Sequence, residues 1–287
     1  MNVLSLFNGM STGHTALENV GIKVNKYYSS EIKPHAIQLT QHHYPNTIQL
    51  GDVTKWKEWN IDYKSINLVL SGSPCQDLSI AGKQKGLKGE RSGLFWVFID
   101  ILKHIKKLNP NVLFLQENVG SAPKKDVGIM SRALGVYPVR INSSLVTAQL
   151  RDRYYWTNIR TKKEGLFGEN TVDIPYPKDK KILLKDVILD GRVDKNKANC
   201  ILESEERPCT TQEALYKRSV INKFGNIVYT KENKIRVLYQ TELERLQGFK
   251  DGWTSILSRN KAASLLGDGW TLPIIEHIFK FIKNDYI

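Results

Sequence analysis

The sequence predicts an α/β protein with a mostly parallel sheet and helices on both faces. Three observations predict it. Short apolar runs alternate with helix-length amphipathic stretches through the first half of the chain. The runs are apolar throughout rather than alternating, as strands covered on both faces must be. Glycine and polar residues collect just beyond the ends of those runs, where an open α/β sheet binds its ligands.

The elements follow in order. Val3 to Leu6 reads as a strand, and Thr12 to Val20 as a helix closed by Gly21. Val24 to Ser30 is a second strand, followed by a helix to about His43. Leu68 to Leu70 is a fully buried strand ending in Ser71-Gly72-Ser73-Pro74. Leu94 to Leu108 is a long amphipathic helix stopped by Asn109-Pro110. Val112 to Leu115 is another buried strand. After about Gly165 the pattern breaks into a stretch rich in Lys, Asp and Asn, with weak two-residue alternation over Asn226 to Tyr229. Helical periodicity returns from Thr241, and Trp270 to Ile282 reads as strand-turn-helix or as one helix led by Pro273. The expected organisation is a main domain over 1–165, a small irregular insertion over 166–235, and a segment over 236–287 that returns to the main domain.

Composition excludes several classes. Apolar residues are 41% and charged residues 25% of 287, so a proper core is expected. No apolar run is long enough to cross a bilayer, and no signal peptide or membrane partner is expected. Cys75, Cys200 and Cys209 form no CxxC pair, so neither a disulfide framework nor a metal site is expected, and the implied compartment is a reducing cytoplasm. Lys and Arg number 42 against 29 Asp and Glu, a net charge of +13 that favours polyanion partners.

The strand ends carry the chemistry. Phe7-Asn8-Gly9-Met10-Ser11-Thr12-Gly13 follows the first strand, where glycines permit close backbone approach and the helix N-terminus offers free N–H groups. It is not a GxGxxG fingerprint. Glu31, after the second strand, is placed to accept ribose hydroxyls; Asp52, in Gly51-Asp52-Val53, to accept an adenine amino group. Singly each acid is more often a helix cap or a surface residue. Together they argue for an adenosine-bearing cofactor. Ser73-Pro74-Cys75-Gln76 puts a cysteine at a strand end, rigidly aimed by proline. Lys83, Lys85, Lys88 and Arg91 follow, and a positive field favours the thiolate. Gly82, Gly86, Gly89 and Gly93 in this basic loop suggest a lid over a phosphate backbone. Glu117, in Gln116-Glu117-Asn118-Val119, is a candidate general acid at the end of a buried strand. Arg151 and Arg153, alternate residues of a presumed strand, share a face, one to bind a base carbonyl and the other to organise the acid.

Taken together, Phe7 to Gly13, Glu31, Asp52, Pro74-Cys75-Gln76, Glu117-Asn118-Val119, Gln149 to Arg153, Glu242 with Arg245 to Phe249, and Gly267 to Trp270 resemble, in order, the motifs of the C5-cytosine DNA methyltransferases. Within that family the chain is most similar to the catalytic domain of the animal de novo DNA methyltransferases, through Thr241 to Arg245 and Gly269-Trp270. With no extra regulatory domain, a compact bacterial or phage member is expected. The sequence departs from the family at Leu78, Tyr239-Gln240 and Asp268-Gly269-Trp270.

The resemblance implies a Rossmann-like S-adenosylmethionine-dependent methyltransferase fold whose insertion recognises the target. It implies Cys75 attacking C6 of a flipped cytosine, Glu117 at N3, Arg153 at O2 with Arg151 in support, and Asn118 holding the loop. The implied cofactor set is Phe7, Gly9, Ser11, Thr12, Glu31, Ile32, Asp52, Val53, Pro74, Leu94, Asp268 and Trp270. Gln76, Ser79, Arg91, Arg207 and Arg218 are the expected contacts to double-stranded DNA. A cognate restriction endonuclease is an expected partner. The alternatives are the same chemistry on RNA, whose family branch carries a Cys-Phe-Thr signature absent here, an inactive DNA-binding homologue, and a nicotinamide oxidoreductase.

Overall fold

A computed structural model of the chain describes residues 1–74, 93–165, 168–202, 208–209 and 211–282. Cys75, Gln76, Ser79, Arg91 and Arg207, and with them the glycine-rich loop over 76–92, lie outside the described residues. The chain forms two compact units: Met1–Ile141 with Asp152–Tyr176 and Glu276–Ile287, and Asn142–Arg151 with Pro177–Ile275. Their limits differ from the sequence boundaries at 165 and 235, since residues 236–275 cluster with the second unit.

The first unit is built on one sheet. Its strands are β1 (Asn2–Leu6), β2 (Lys26–Ser30), β3 (Ile48–Gln49), β4 (Leu68–Ser71), β5 (Leu113–Val119), β6 (Val139–Asn142) and β7 (Asp152–Thr157), in spatial order β3-β2-β1-β4-β5-β7-β6. Neighbours from β3 to β5 pair in parallel, and β7 runs antiparallel to β5. Val3, Leu4, Leu68, Val69 and Leu70 are fully buried, as the continuous apolar runs of a doubly covered sheet require. The chain runs outward from β1 to β3 and then returns to lay β4 on the other side of β1. Strand order therefore reverses between β1 and β4, the point at which such a sheet opens a ligand crevice at its carboxyl edge.

Helices surround this sheet. In α1 (Thr12–Asn19), a Cβ on Gly13 would run into Leu70 Cδ1 and come within 3.3 Å of the Tyr27 hydroxyl, so only glycine lets this helix approach so closely. α2 (Pro34–His43) starts on proline and ends on His42 and His43, which suit the negative end of its dipole. α3 (Leu94–Leu108) buries Phe95, Phe98, Ile99, Leu102 and Ile105 on one stripe. α4 (Lys124–Leu134), closed by Gly135 at φ 74°, falls in a stretch the sequence leaves unassigned. Its buried residues are Asp126, Met130, Ser131 and Leu134, so half of its inner stripe is polar. A hairpin of β8 (Thr161–Glu164) and β9 (Glu169–Val172) is likewise unannounced, because every residue of β8 is exposed and polar.

The second unit contains α5 (Gln212–Tyr216), which passes into a π-helical turn over Lys217–Ile221, and the hairpin β10 (Ile227–Tyr229) and β11 (Ile235–Val237). Leu215, Ile227 and Ile235 form a small core there. α6 (Gln240–Gln247) ends at Gly248, φ 80°, where a Cβ would collide with the Pro273 ring. α7 (Arg259–Asp268) follows, and the unit's limit at Ile275 falls within α8 (Leu272–Phe279). Residues 270–282 thus hold a single helix led by Pro273 and no strand. The buried Glu242 carboxylate accepts from Leu189 N, Tyr239 N and both terminal nitrogens of Arg236, which also binds Asp190, so one ion network clasps three segments. Among the described residues no helix is long and apolar enough to cross a membrane, and no cluster of side chains could hold a metal ion.

Candidate active site

The turn after β1 is wound left-handed at three positions, Phe7 (φ 56°), Gly9 (φ 56°) and Ser11 (φ 60°). Two of these are not glycine, and each such residue costs on the order of 1–3 kcal/mol unless its surroundings hold it. A buried polar network does so. Asn8 donates to Ser11 Oγ (2.7 Å) and Thr40 Oγ1 (3.3 Å), and its carbonyl accepts from Tyr27 Oη (3.1 Å). Ser11 Oγ and Thr40 Oγ1 lie 2.9 Å apart. The sequence reading missed Thr40 and Tyr27, which are distant in sequence; only the place of Asn8 in the turn gave any signal. Ser11 and Thr12 are buried, and the Ser11 hydroxyl is committed to the turn itself.

Glu31 lies just past β2. Its Oε2 accepts from Gly9 N (2.8 Å) and its Oε1 from Ile32 N (2.8 Å) and Lys33 N (2.9 Å). A carboxylate has about four lone-pair positions, so capacity for a ribose hydroxyl remains. Ile32 beside it is 70% exposed. Asp52 caps the 3-10 turn Val53–Glu58, its Oδ1 accepting from Thr54 N (2.9 Å) and Thr54 Oγ1 (2.8 Å). The backbone N–H of Thr54, then its hydroxyl, hold this carboxyl below the usual carboxylate range. Asp52 is therefore a cap, and its Oδ2, outside both bonds, can still accept an amino group. Val53 is buried beside it, while Pro74 and Leu94 are half-buried. This donor and acceptor set, around a turn with close backbone access at the switch point, fits an adenosine-bearing cofactor.

The second half of the site is on β5 and β7. β5 extends through Glu117, Asn118 and Val119, so these residues lie inside the strand and not after it, as the sequence suggested. Glu117 is in register with Tyr155 and Val119 with Arg153. Arg153 is thus the diagonal neighbour of Glu117 on one face, within reach of a long side chain. Its Nε meets Glu117 Oε1 at 2.9 Å, with both side chains largely buried. Arg153 Nη1 donates to the Asp152 carbonyl (2.8 Å). Asn118 Oδ1 accepts from Val119 N (2.8 Å) within β5.

Arg151 departs from the sequence expectation. Residues 149–151 precede β7, and Arg151 does not share a strand face with Arg153. It is buried in the second unit, where Nη1 donates to Cys200 Sγ (3.1 Å) and Nη2 to the Gly269 carbonyl (2.8 Å). Alternation is a property of a strand, and β7 begins only at Asp152. Asp268 ends α7 and Trp270 is buried, both in the second unit. Arg218 is half-buried in the π-helical turn. The first unit therefore brings together Phe7, Gly9, Glu31, Ile32, Asp52, Val53 and Pro74 at the carboxyl edge, and Glu117 with Arg153.

A family model described as C-5 cytosine-specific DNA methylase matches residues 1–212. The orphan methyltransferase M.Rho11sI of Bacillus phage rho11s is 33% identical over 175 residues, 56% of this chain and 33% of that protein. Type II methyltransferase M.NlaIV of Neisseria lactamica is 30% identical over 200 residues, 63% of this chain and 45% of that one. The chain thus spans less than half the length of these two relatives. Type II methyltransferase M.HhaI of Haemophilus parahaemolyticus aligns over 97% of this chain and 93% of its own, at 23% identity. The fold matches that of S. pombe Dnmt2 methyltransferase with a TM-score of 0.64 at 14% identity, over 98% of each chain. The Entamoeba histolytica methyltransferase EhMeth superposes with a TM-score of 0.66 at 15% identity, over 99% of this chain and 98% of that one.

Proposed function

The chain belongs to the C-5 cytosine-specific DNA methylase family, and from that premise we propose that it methylates C5 of a cytosine flipped out of duplex DNA, through a covalent Cys75–C6 adduct. The observation that carries the proposal is the Glu117–Arg153 pair on β5 and β7, beside the strand that leads into Pro74-Cys75.

C5 of cytosine is a weak nucleophile. Addition of the Cys75 thiolate at C6 breaks the aromaticity of the ring and makes C5 enamine-like. Glu117 hydrogen-bonds or protonates N3, neutralising the charge pushed into the ring, and Arg153 holds O2 while keeping the Glu117 carboxyl in place. Methylation of C5, loss of its proton and elimination of Cys75 then restore the aromatic ring. Glu31, Ile32 and Asp52 would hold S-adenosylmethionine, which supplies an electrophilic methyl group. The base must leave the stack for any of this, at a cost of a few kcal/mol. Arg91, Ser79 and Gln76 on the loop, with the region around Arg207 to Arg218, are our assigned DNA contacts, the latter reading the target. The net charge of +13 suits that partner.

We place the protein in the cytoplasm of a bacterium or phage-infected host. The relatives include both orphan and type II methyltransferases, so a cognate restriction endonuclease is part of the proposal. The test is transfer of label from S-adenosylmethionine to unmethylated duplex DNA, comparing wild type with Cys75→Ala and using bulk transfer RNA in parallel. Label in DNA that vanishes with Cys75→Ala is expected. Label in RNA alone would move the activity to RNA, and no label in either would overturn the enzyme reading.

A further inference from the structure

Gln116 sits in the middle of the sheet, in register with Ser71 on β4 and Trp156 on β7, with its side chain fully buried. Its Nε2 donates one hydrogen to Ser73 Oγ (2.9 Å) and the other to the Glu117 carbonyl (2.7 Å). Its Oε1 has no hydrogen-bond partner among the described residues. A buried amide left half-satisfied opposes folding, and an apolar side chain of the same shape would not. Stability therefore does not explain this residue.

Its connections do. The single nitrogen ties the exit of β4, at Ser73, to the strand position that carries Glu117. Ser73 precedes Pro74, whose ring fixes its own φ and restricts the backbone of Ser73. Cys75 follows Pro74 directly in sequence. On the other limb, the Glu117 carboxylate is held by Arg153 on the sheet face opposite Gln116.

We propose that Gln116 is a positioning residue for the Cys75 attack, acting by clamping Ser73, two residues before Cys75 in sequence, to the strand that carries Glu117. It touches no reacting atom. The inference rests on the methyl-transfer reading above and deepens it.

The test compares wild type, Gln116→Met, Ser73→Ala and the double variant on duplex DNA carrying 5-fluorocytosine, which arrests the reaction at the covalent adduct. Adduct formation and single-turnover methyl transfer are timed, and DNA affinity, cofactor affinity and Tm are measured beside them. Gln116→Met keeps the shape and loses both bonds. It should slow adduct formation about ten- to a hundredfold, the range for a small misplacement of reacting groups. Both affinities should stay within about twofold and Tm should hold or rise, a split that loss of structure would not give. The double variant should be no slower than the slower single one, because both cut the same link. Should Gln116→Met fail to fold, Ser73→Ala tests the link without altering a strand residue. If wild type traps DNA and both single variants trap it within about threefold as fast, or their effects multiply, the positioning role is overturned and the methyl-transfer reading stands. If wild type forms no adduct, that reading falls and this inference falls with it.

Discussion

At the scale of single residues, Glu117 and Arg153 depend on one another. Both side chains retain only a little solvent contact, so either one left alone is a poorly solvated charge. Arg153→Ala should destabilise the fold by about 3 kcal/mol, the low end for breaking a buried pair. Adding Glu117→Gln should recover part of that loss, since the neutral amide needs no counterion. A urea titration of the two single variants and the double variant checks this, and a double variant less stable than Arg153→Ala would overturn the coupling. Glu117→Gln by itself should slow methyl transfer by about 10²–10⁴-fold, the usual contribution of a placed acid, while cofactor binding persists. A rate within threefold of wild type would remove Glu117 from the chemistry.

At the scale of elements, Asp152 at the start of β7 lies directly over Gly120, just past the end of β5. Gly120 N donates to the Asp152 carbonyl (2.9 Å), and a Cβ on Gly120 would come within 2.8 Å of Asp152 Cγ, O and Oδ2. Gly120→Ala must push β7 away, and Arg153 moves with it. The expected result is a loss of about 1–3 kcal/mol, typical of overpacking, with a fall in activity larger than the fall in folded fraction. Circular dichroism melts run beside the transfer assay decide it. α1 makes a second prediction. His14 is stacked between Tyr27 and Tyr44, with ring centroids 4.4 and 3.8 Å away, and burial lowers its pKa from 6.5 to about 4. In the window between those values the unfolded chain binds a proton that the folded one refuses, so stability falls as pH drops from about 6.5 toward 4. His14→Phe keeps the stack and should flatten that part of the Tm–pH curve. An unchanged slope would show that His14 does not titrate as its burial implies.

At the scale of the whole molecule, the excess of positive charge governs encounter with a polyanion. If DNA is the substrate, log affinity should fall linearly with log salt, at about −0.9 per phosphate neutralised. A flat salt dependence in filter binding would argue against a backbone-tracking surface. The two units differ in what they contain. The first holds the parallel sheet and the turns at its carboxyl edge; the second holds the small core of Leu215, Ile227 and Ile235 and the ion network on Glu242.

How much of this was legible in the sequence follows from the range of the forces involved. Buried strands β1, β4 and β5 and the helix Leu94–Leu108 were readable because continuous burial leaves an apolar run or stripe in the chain. Glu31 and Asp52 stand out in the sequence because an open sheet concentrates polar residues just past its strand ends, whereas Glu117 lies within β5 rather than past its end. α4 and the β8–β9 hairpin were not, since a half-polar inner stripe and a fully exposed strand leave no hydrophobic period. Nor could the sequence divide the two arginines, because β7 begins only at Asp152, and Arg151 is placed by tertiary partners such as Cys200 and Gly269. By itself, then, the sequence determined the fold class, the order of the motifs and the chemical types at the strand ends, all written in local pattern. Only the tertiary structure decided which side chains meet: Arg153 with Glu117, Gln116 with Ser73, and Asn8 with Thr40 and Tyr27. Each of these pairs joins residues far apart in the chain, and it is packing of the sheet and its turns that brings them within hydrogen-bond distance.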